Sequence, residues 1–264
     1  MGSRDWTSDS DGVRADRRLQ ERIERELPSL LALARRLTRE EHDAEDAVQD
    51  ALASAWRARG QIRDPDAAGG WLRRILARGI VDAHRRRADL PMGTPEELDS
   101  LIPDVDDPVA VLVAAEDELA LRAALRELVP ADRIAIVFHD AEGWPAAEVG
   151  RLLGVGTEAA HKRVQRARAR LVAALAEPHS PARRPAEACR DARAHVHELL
   201  EETLDPATSI AVQHHLDSCP SCPASLQAAA GVLAALRVKG QAAPIPGPLR
   251  VRLDELVREA DEAP

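Results

Sequence analysis

Apolar positions in this chain recur at helical spacing in successive blocks. The pattern begins near Arg14 and runs through ERIERELPSLLALARRLT, where Pro28 predicts a break or kink. A second helix is expected over roughly Asp43 to Arg59, a polar loop with Asp64-Pro65 from Gly60 to Gly70, and a third helix from about Trp71. The stretch DLPMGTPEELDSLIPDVDDP is Pro-rich and acidic and reads as a flexible linker, with helical pattern resuming near Glu116. Four short helices follow. ELALRAALREL ends at Val129-Pro130, ADRIAIVFHDAEG comes next, PAAEVGRLL has proline in its first turn, and Gly154-Val155-Gly156 makes a tight turn into TEAAHKRVQRARARLVAAL. A second linker, EPHSPARRPAE, leads to a third module and then to a Pro-rich spacer with one amphipathic helix. The expected division is a disordered N-terminus (1–13), helical domains at 14–90 and 116–176 joined by the linker 91–115, a linker at 177–185, a module at 186–238 and a tail at 239–264.

Composition fixes the class. Alanine, leucine and arginine are abundant, aromatic residues make up 2% of the chain, and β-branched runs are few, so the fold is expected to be all-α. A chain of 264 residues has room for two or three small cores. The polar start MGSRDWTSDSDG has no apolar signal core, and the longest apolar run, Ala228 to Leu236, is well below the ~20 residues of a membrane span. A soluble, cytoplasmic protein without membrane contact is the expectation.

The net charge of −9 argues against nucleic acid until it is read by segment. Between Ala88 and Leu121 there are ten acids and no lysine or arginine, and the flanking helices are basic. The helix from Trp71 carries Arg73, Arg74, Arg78, Arg85, Arg86 and Arg87 against Asp82 alone, a face suited to phosphates. The preceding helix, with Asp43, Glu45, Asp46 and Asp50, suits a basic protein partner. Opposite charges on one small domain suggest an adaptor between a protein machine and nucleic acid. Further on, two short helices around a glycine turn, the second strongly basic, form a helix-turn-helix signature.

All three cysteines lie in the third module, whose two helices are expected to part at Asp205-Pro206, an N-cap followed by proline. Antiparallel packing brings Cys189 near His215, Cys219 and Cys222, and Pro220 bends the Cys-x-x-Cys into a knuckle. Three thiolates and an imidazole fit a closed, structural zinc site, whose thiolates are also oxidisable. Buried thiols without metal are the alternative, and His195, His197 and His214 are competing ligands expected at the surface. A closed Cys3His set leaves no position for water, and no phosphate loop or nucleophile elbow is present, so an enzyme is not expected.

These motifs resemble a known family. DAEDAVQDA and WLRRILARGIVDAHRRR are similar to region 2 of extracytoplasmic-function (ECF) sigma factors, and EGWPAAEVGRLLGVGTEAAHKRVQRARARL resembles their region 4. Cys189 with His215-x-x-x-Cys219-x-x-Cys222 looks like a zinc-containing anti-sigma domain. The resemblance implies core RNA polymerase and promoter DNA as partners. It assigns Glu45, Asp46, Gln49 and Asp50 to the β′ clamp, and Trp71, Arg74, Arg78, Arg85 and Arg86 to the −10 element. Arg78 stands where the family usually has asparagine, and the Gly60–Gly70 loop is the better candidate for a flipped base. At the −35 element, Thr157, Glu158, His161 and Lys162 would read bases, with Arg163, Arg166 and Arg168 on phosphates. A fused zinc domain implies intramolecular contact with the sigma domains. A stand-alone helix-turn-helix regulator is the alternative.

Overall fold

The computed structural model describes residues 6–62, 64, 67–87, 102, 105–176, 187–238 and 245–261, and all their regular structure is helical. The chain divides into two units, Met1–Arg86 with Gly240–Pro264, and Arg87–Lys239.

In the first unit, α1 (Trp6–Leu37), α2 (Glu41–Arg57) and α3 (Ala68–Arg86) pack on one another. Their apolar stripes meet in a core of Leu19, Ile23, Leu27, Leu30, Leu31, Val48, Leu52, Leu72, Leu76 and Ile80. Two expectations are corrected here. Helix α1 starts at Trp6, inside the stretch 1–13 expected to be disordered, because adding residues to a helix already packed from Leu19 onward costs little. It also runs through Pro28 without the break expected there as the alternative to a kink, and Leu27, Leu30 and Leu31 beside the proline are buried. The loop after α2 forms a short 3-10 turn, Arg59–Gln61, and α3 begins at Ala68, three residues before Trp71. The tail helix, α13 (Gly247–Asp261), lies against α2 and buries Leu249, Leu253 and Leu256.

The second unit opens with a further correction. Residues 108–115, expected in a flexible linker, belong to helix α4 (Pro108–Glu116), capped by the Asp107 carboxylate accepting from the backbone N–H of Val109 and Ala110. Its sequence, PVAVLVAAE, is apolar around most of its circumference, so it folds only where something covers it. That cover is α12 (Cys222–Arg237), which packs on α4; Val111 and Ala115 are buried on α4, and Ala228, Val232 and Ala235 are among the buried residues of α12. A methyl group at Gly231 would stand 3.1 Å from Leu112 Cδ1, so the bare backbone permits this close approach.

The helix-turn-helix region follows as expected. It comprises α5 (Glu118–Glu127), α6 (Pro130–Ile136) continued by one π-helical turn over Val137–Ala141, α7 (Ala146–Leu153) and α8 (Thr157–Leu175). Gly154 ends α7 with φ +72°, a conformation open to residues lacking a Cβ. The third module holds α9 (Glu187–Ala194), α10 (Val196–Leu200) and α11 (Pro206–Ser218), then α12. Asp205 caps α11 through the N–H groups of Ala207 and Thr208, with Pro206 in the first turn. Among the described residues, no single helix is long and apolar enough to cross a membrane.

Candidate metal centre and nucleic-acid interface

Helix α9 presents Cys189, the end of α11 presents His215 and Cys219, and the first residue of α12 is Cys222. Their four donor atoms lie within 4.8 Å of one another. The sulfurs of Cys189 and Cys219 are 3.7 Å apart, and His215 Nε2 is 3.4 Å from the Cys222 sulfur. Zn–S bonds of about 2.3 Å and a Zn–N bond of about 2.0 Å, directed to the corners of a tetrahedron, set donors roughly 3.5–3.8 Å apart. These two distances match edges of a zinc tetrahedron, and the set as a whole, within 4.8 Å, would close around an ion with small side-chain shifts. Burial, with the neighbouring sulfurs of Cys219 and Cys222, pushes the Cys189 thiol up to about 11. Burial also raises Cys219, but the backbone N–H groups of Cys222 and Ser221 outweigh it and bring that thiol to about 6. Of the competing histidines, His214 is exposed and His195 half-buried, but His197 is buried, against the expectation of a surface position. None of the three joins the cluster.

In the first unit, Asp46 and Asp50 are exposed on α2, with Glu45 and Gln49 half-buried beside them. Arg74, Arg78, Arg85 and Arg86 are exposed along α3, Trp71 is half-buried, and Arg73 turns inward to Glu26 at 3.2 Å. Residues 63, 65 and 66 of the loop proposed to hold a flipped base lie outside the described residues.

Region 116–176 brings the main correction. Thr157, Glu158 and Lys162 are exposed at the start of α8, and His161 is half-buried. The Lys162–Glu158 pair, 3.1 Å apart, is solvated and worth about 0–1 kcal/mol, so it yields easily to another anion. Arg163, Arg166 and Arg168, expected on phosphates, are instead buried in internal ion pairs. Arg163 and Arg166 donate to Asp132, each at 3.1 Å, and Arg170 reaches the same carboxylate at 3.5 Å. Arg168 clasps Asp140 with two bonds of 2.9 and 2.6 Å. A basic count along a helix does not separate solvated arginines from those paired inside. The missed signal is an aspartate within the apolar run PADRIAIVF, since such an acid is seldom buried unless paired.

Arg168 also reaches Glu201 of the third module at 2.7 Å, and His139 stands 3.5 Å from the same carboxylate while its Nδ1–H donates to the Trp144 carbonyl at 2.8 Å. Gln165 donates to Glu198 at 3.3 Å. The bond to His139, with the charge of Arg168, holds the Glu201 carboxyl down to about 2 against its burial. The same bond raises His139 above its ordinary 6.5. A raised histidine contributes stability fully below 6.5 and loses it as pH rises through the folded value; the lowered carboxylate contributes above 4.5 and loses it towards about 2. His139→Gln is therefore expected to cost more stability at pH 6 than at pH 8.5. Urea unfolding of both proteins at each pH measures it, and equal costs would remove the charged pair from the contact.

Comparison with known proteins fits this geometry. Residues 22–89 match Sigma-70 region 2, residues 118–171 match Sigma-70 region 4, and residues 189–222 match a zinc-finger family. Fold and motifs together define a non-enzymatic transcription initiation factor of the sigma-70 class with an added zinc-finger module. The ECF RNA polymerase sigma factor SigM of Mycobacterium tuberculosis is 36% identical over 143 residues, spanning 54% of this chain and 69% of that protein. SigE of Mycolicibacterium smegmatis is 34% identical over 149 residues, spanning 56% and 58%. SigJ of Mycobacterium tuberculosis is 38% identical over 145 residues, spanning 53% and 45%. The chain belongs to the ECF RNA polymerase sigma factors. A stand-alone helix-turn-helix regulator would not account for the region 2 match. No solved structure matches the chain.

Proposed function

We propose that this sigma factor is restrained in cis by its C-terminal segment, which acts as a built-in anti-sigma element. The observation carrying this reading is the double attachment of that segment. Helix α12 and Glu201 engage α4 and α8 in one unit, and α13 engages α2 in the other. Thr157, Glu158 and Lys162 at the tip of α8 and Asp46 and Asp50 on α2 are all exposed, so restraint would act by holding these helices through their other faces rather than by covering the contact residues themselves. In the released state, region 2 would meet the β′ clamp through Glu45, Asp46, Gln49 and Asp50. Arg74, Arg78, Arg85 and Arg86 would follow the −10 element, and the α8 tip would read the −35 element. Cys189, His215, Cys219 and Cys222 would hold one structural Zn²⁺. Oxidation of Cys189 and Cys219 to a disulfide by a peroxide would remove two of its ligands and release the metal. The setting would be the cytoplasm, where polymerase works.

Run-off transcription with core RNA polymerase tests the restraint. A 1–178 truncation should transcribe several-fold more than the full chain, and Glu201→Arg in the full chain should move the same way. Equal or lower activity in both would make the segment a scaffold or an activator. Polymerase docking has its own check: Asp46→Arg with Asp50→Arg should weaken holoenzyme formation by about tenfold or more, because reversing charge opposes a basic partner. These side chains are exposed, so helicity should not change. Undiminished co-purification with core polymerase would place docking on another surface.

A further inference from the structure

We infer that Arg193 is a positioning residue of the metal centre, the cation that compensates its net charge and fixes the Cys222 sulfur. This rests on the zinc reading given above. Arg193 lies one helical turn after Cys189 on α9, so both side chains leave the same face. It is 2% exposed, and Cys222 is 1% exposed. The Nε–H of Arg193 donates to the Cys222 sulfur at 3.4 Å, and an Nη2–H donates to the Ser221 hydroxyl at 3.3 Å. One side chain thus grips the last ligand and the knuckle residue before it.

The charges explain the arrangement. Three thiolates and a neutral imidazole around Zn²⁺ leave a formal charge of −1, and burying it unpaired is unfavourable. A guanidinium stays protonated at any working pH, and burying that alone is unfavourable too. Set together, each offsets the other. The N–H···S bond also draws electron density from the sulfur, which makes the thiolate a poorer target for protons and oxidants and keeps its lone pair directed at the metal. Lysine would keep the charge without the planar fork that reaches sulfur and hydroxyl at once.

The test uses the full chain, as wild type, Arg193→Gln and Arg193→Lys, each loaded with Zn²⁺ or with Co²⁺ as a spectroscopic substitute. Arg193→Gln should release zinc to a chromophoric chelator about 10–100 times faster, the usual penalty for losing a group behind a metal ligand. Its thiolate-to-cobalt charge-transfer band should move to lower energy, because a sulfur without its donor is more electron-rich. Arg193→Lys should recover part of the retention and little of the band position. Loss of packing alone would not move the band. Should Arg193→Gln fail to fold, the shifted band in Arg193→Lys carries the test. Wild-type release rates and an unmoved band in every folded variant would overturn the role. A wild-type chain that takes up neither metal would overturn the zinc centre itself, a result distinct from metal uptake unaffected by residue 193.

Discussion

Asp132→Ala is expected to destabilise the region 4 helices by about 3–5 kcal/mol, the usual loss when one partner of a buried ion pair is deleted. The Asp132 side chain is 1% exposed and receives Arg163, Arg166 and Arg170 from three positions on one face of α8. Deletion leaves two buried guanidiniums without that anion, and alanine supplies neither charge nor acceptors. Asp132→Asn should fall in between, since it keeps shape and one acceptor oxygen. The two units need not unfold together, so amide hydrogen exchange in α6 and α8 of the full chain is the suitable measurement. A loss below about 1 kcal/mol would mean that the arginines turn to solvent easily, which would restore them as candidates for phosphate contact.

Cys219→Ser should have an effect at least as large, confined to the third module. Among the described residues, the apolar cluster around the centre holds Val212, Leu216 and Cys222 as buried members, with Cys189, Leu199, Leu204, Cys219 and Leu226 against them. Three of those eight belong to the candidate ligand set, so little core would remain without a metal. Structural zinc in small domains supplies apparent binding energies of about 10–16 kcal/mol near pH 7, which is also their folding energy. The wild-type chain should carry close to one equivalent of zinc, and the variant should carry less than half and lose protection in α9 and α11. Metal analysis of reduced protein decides it. A wild-type chain already below half an equivalent, and unchanged by Cys219→Ser, would leave these thiols without a metal.

Local signals served well wherever one short segment carries the whole message. Asp205-Pro206 specifies a cap and a first turn by itself, Gly154 specifies a left-handed end, and Cys-x-x-Cys with an upstream histidine specifies a knuckle. What was illegible depends on partners distant in the chain. The charge of α8 invites phosphate, and only the fold places Asp132 and Asp140 beneath it. The proline and acid content around α4 suggests a tether, and only α12, more than a hundred residues later, turns its last third into packed helix. His197 looks like a surface residue until α10 folds it inward.

The order of synthesis gives the α4–α12 contact a kinetic side. Helix α4 leaves the ribosome roughly a hundred residues ahead of α12, which at about 5–20 residues per second is a delay of roughly 5–20 s. Throughout it, Val111, Leu112 and Ala115 have no cover from α12, and Val109 and Val113 remain exposed even afterwards. A nascent chain in that interval presents a short greasy segment to chaperones and to its neighbours on the same polysome. On this order of events, α12 is the late-arriving cover for an apolar helix made long before it.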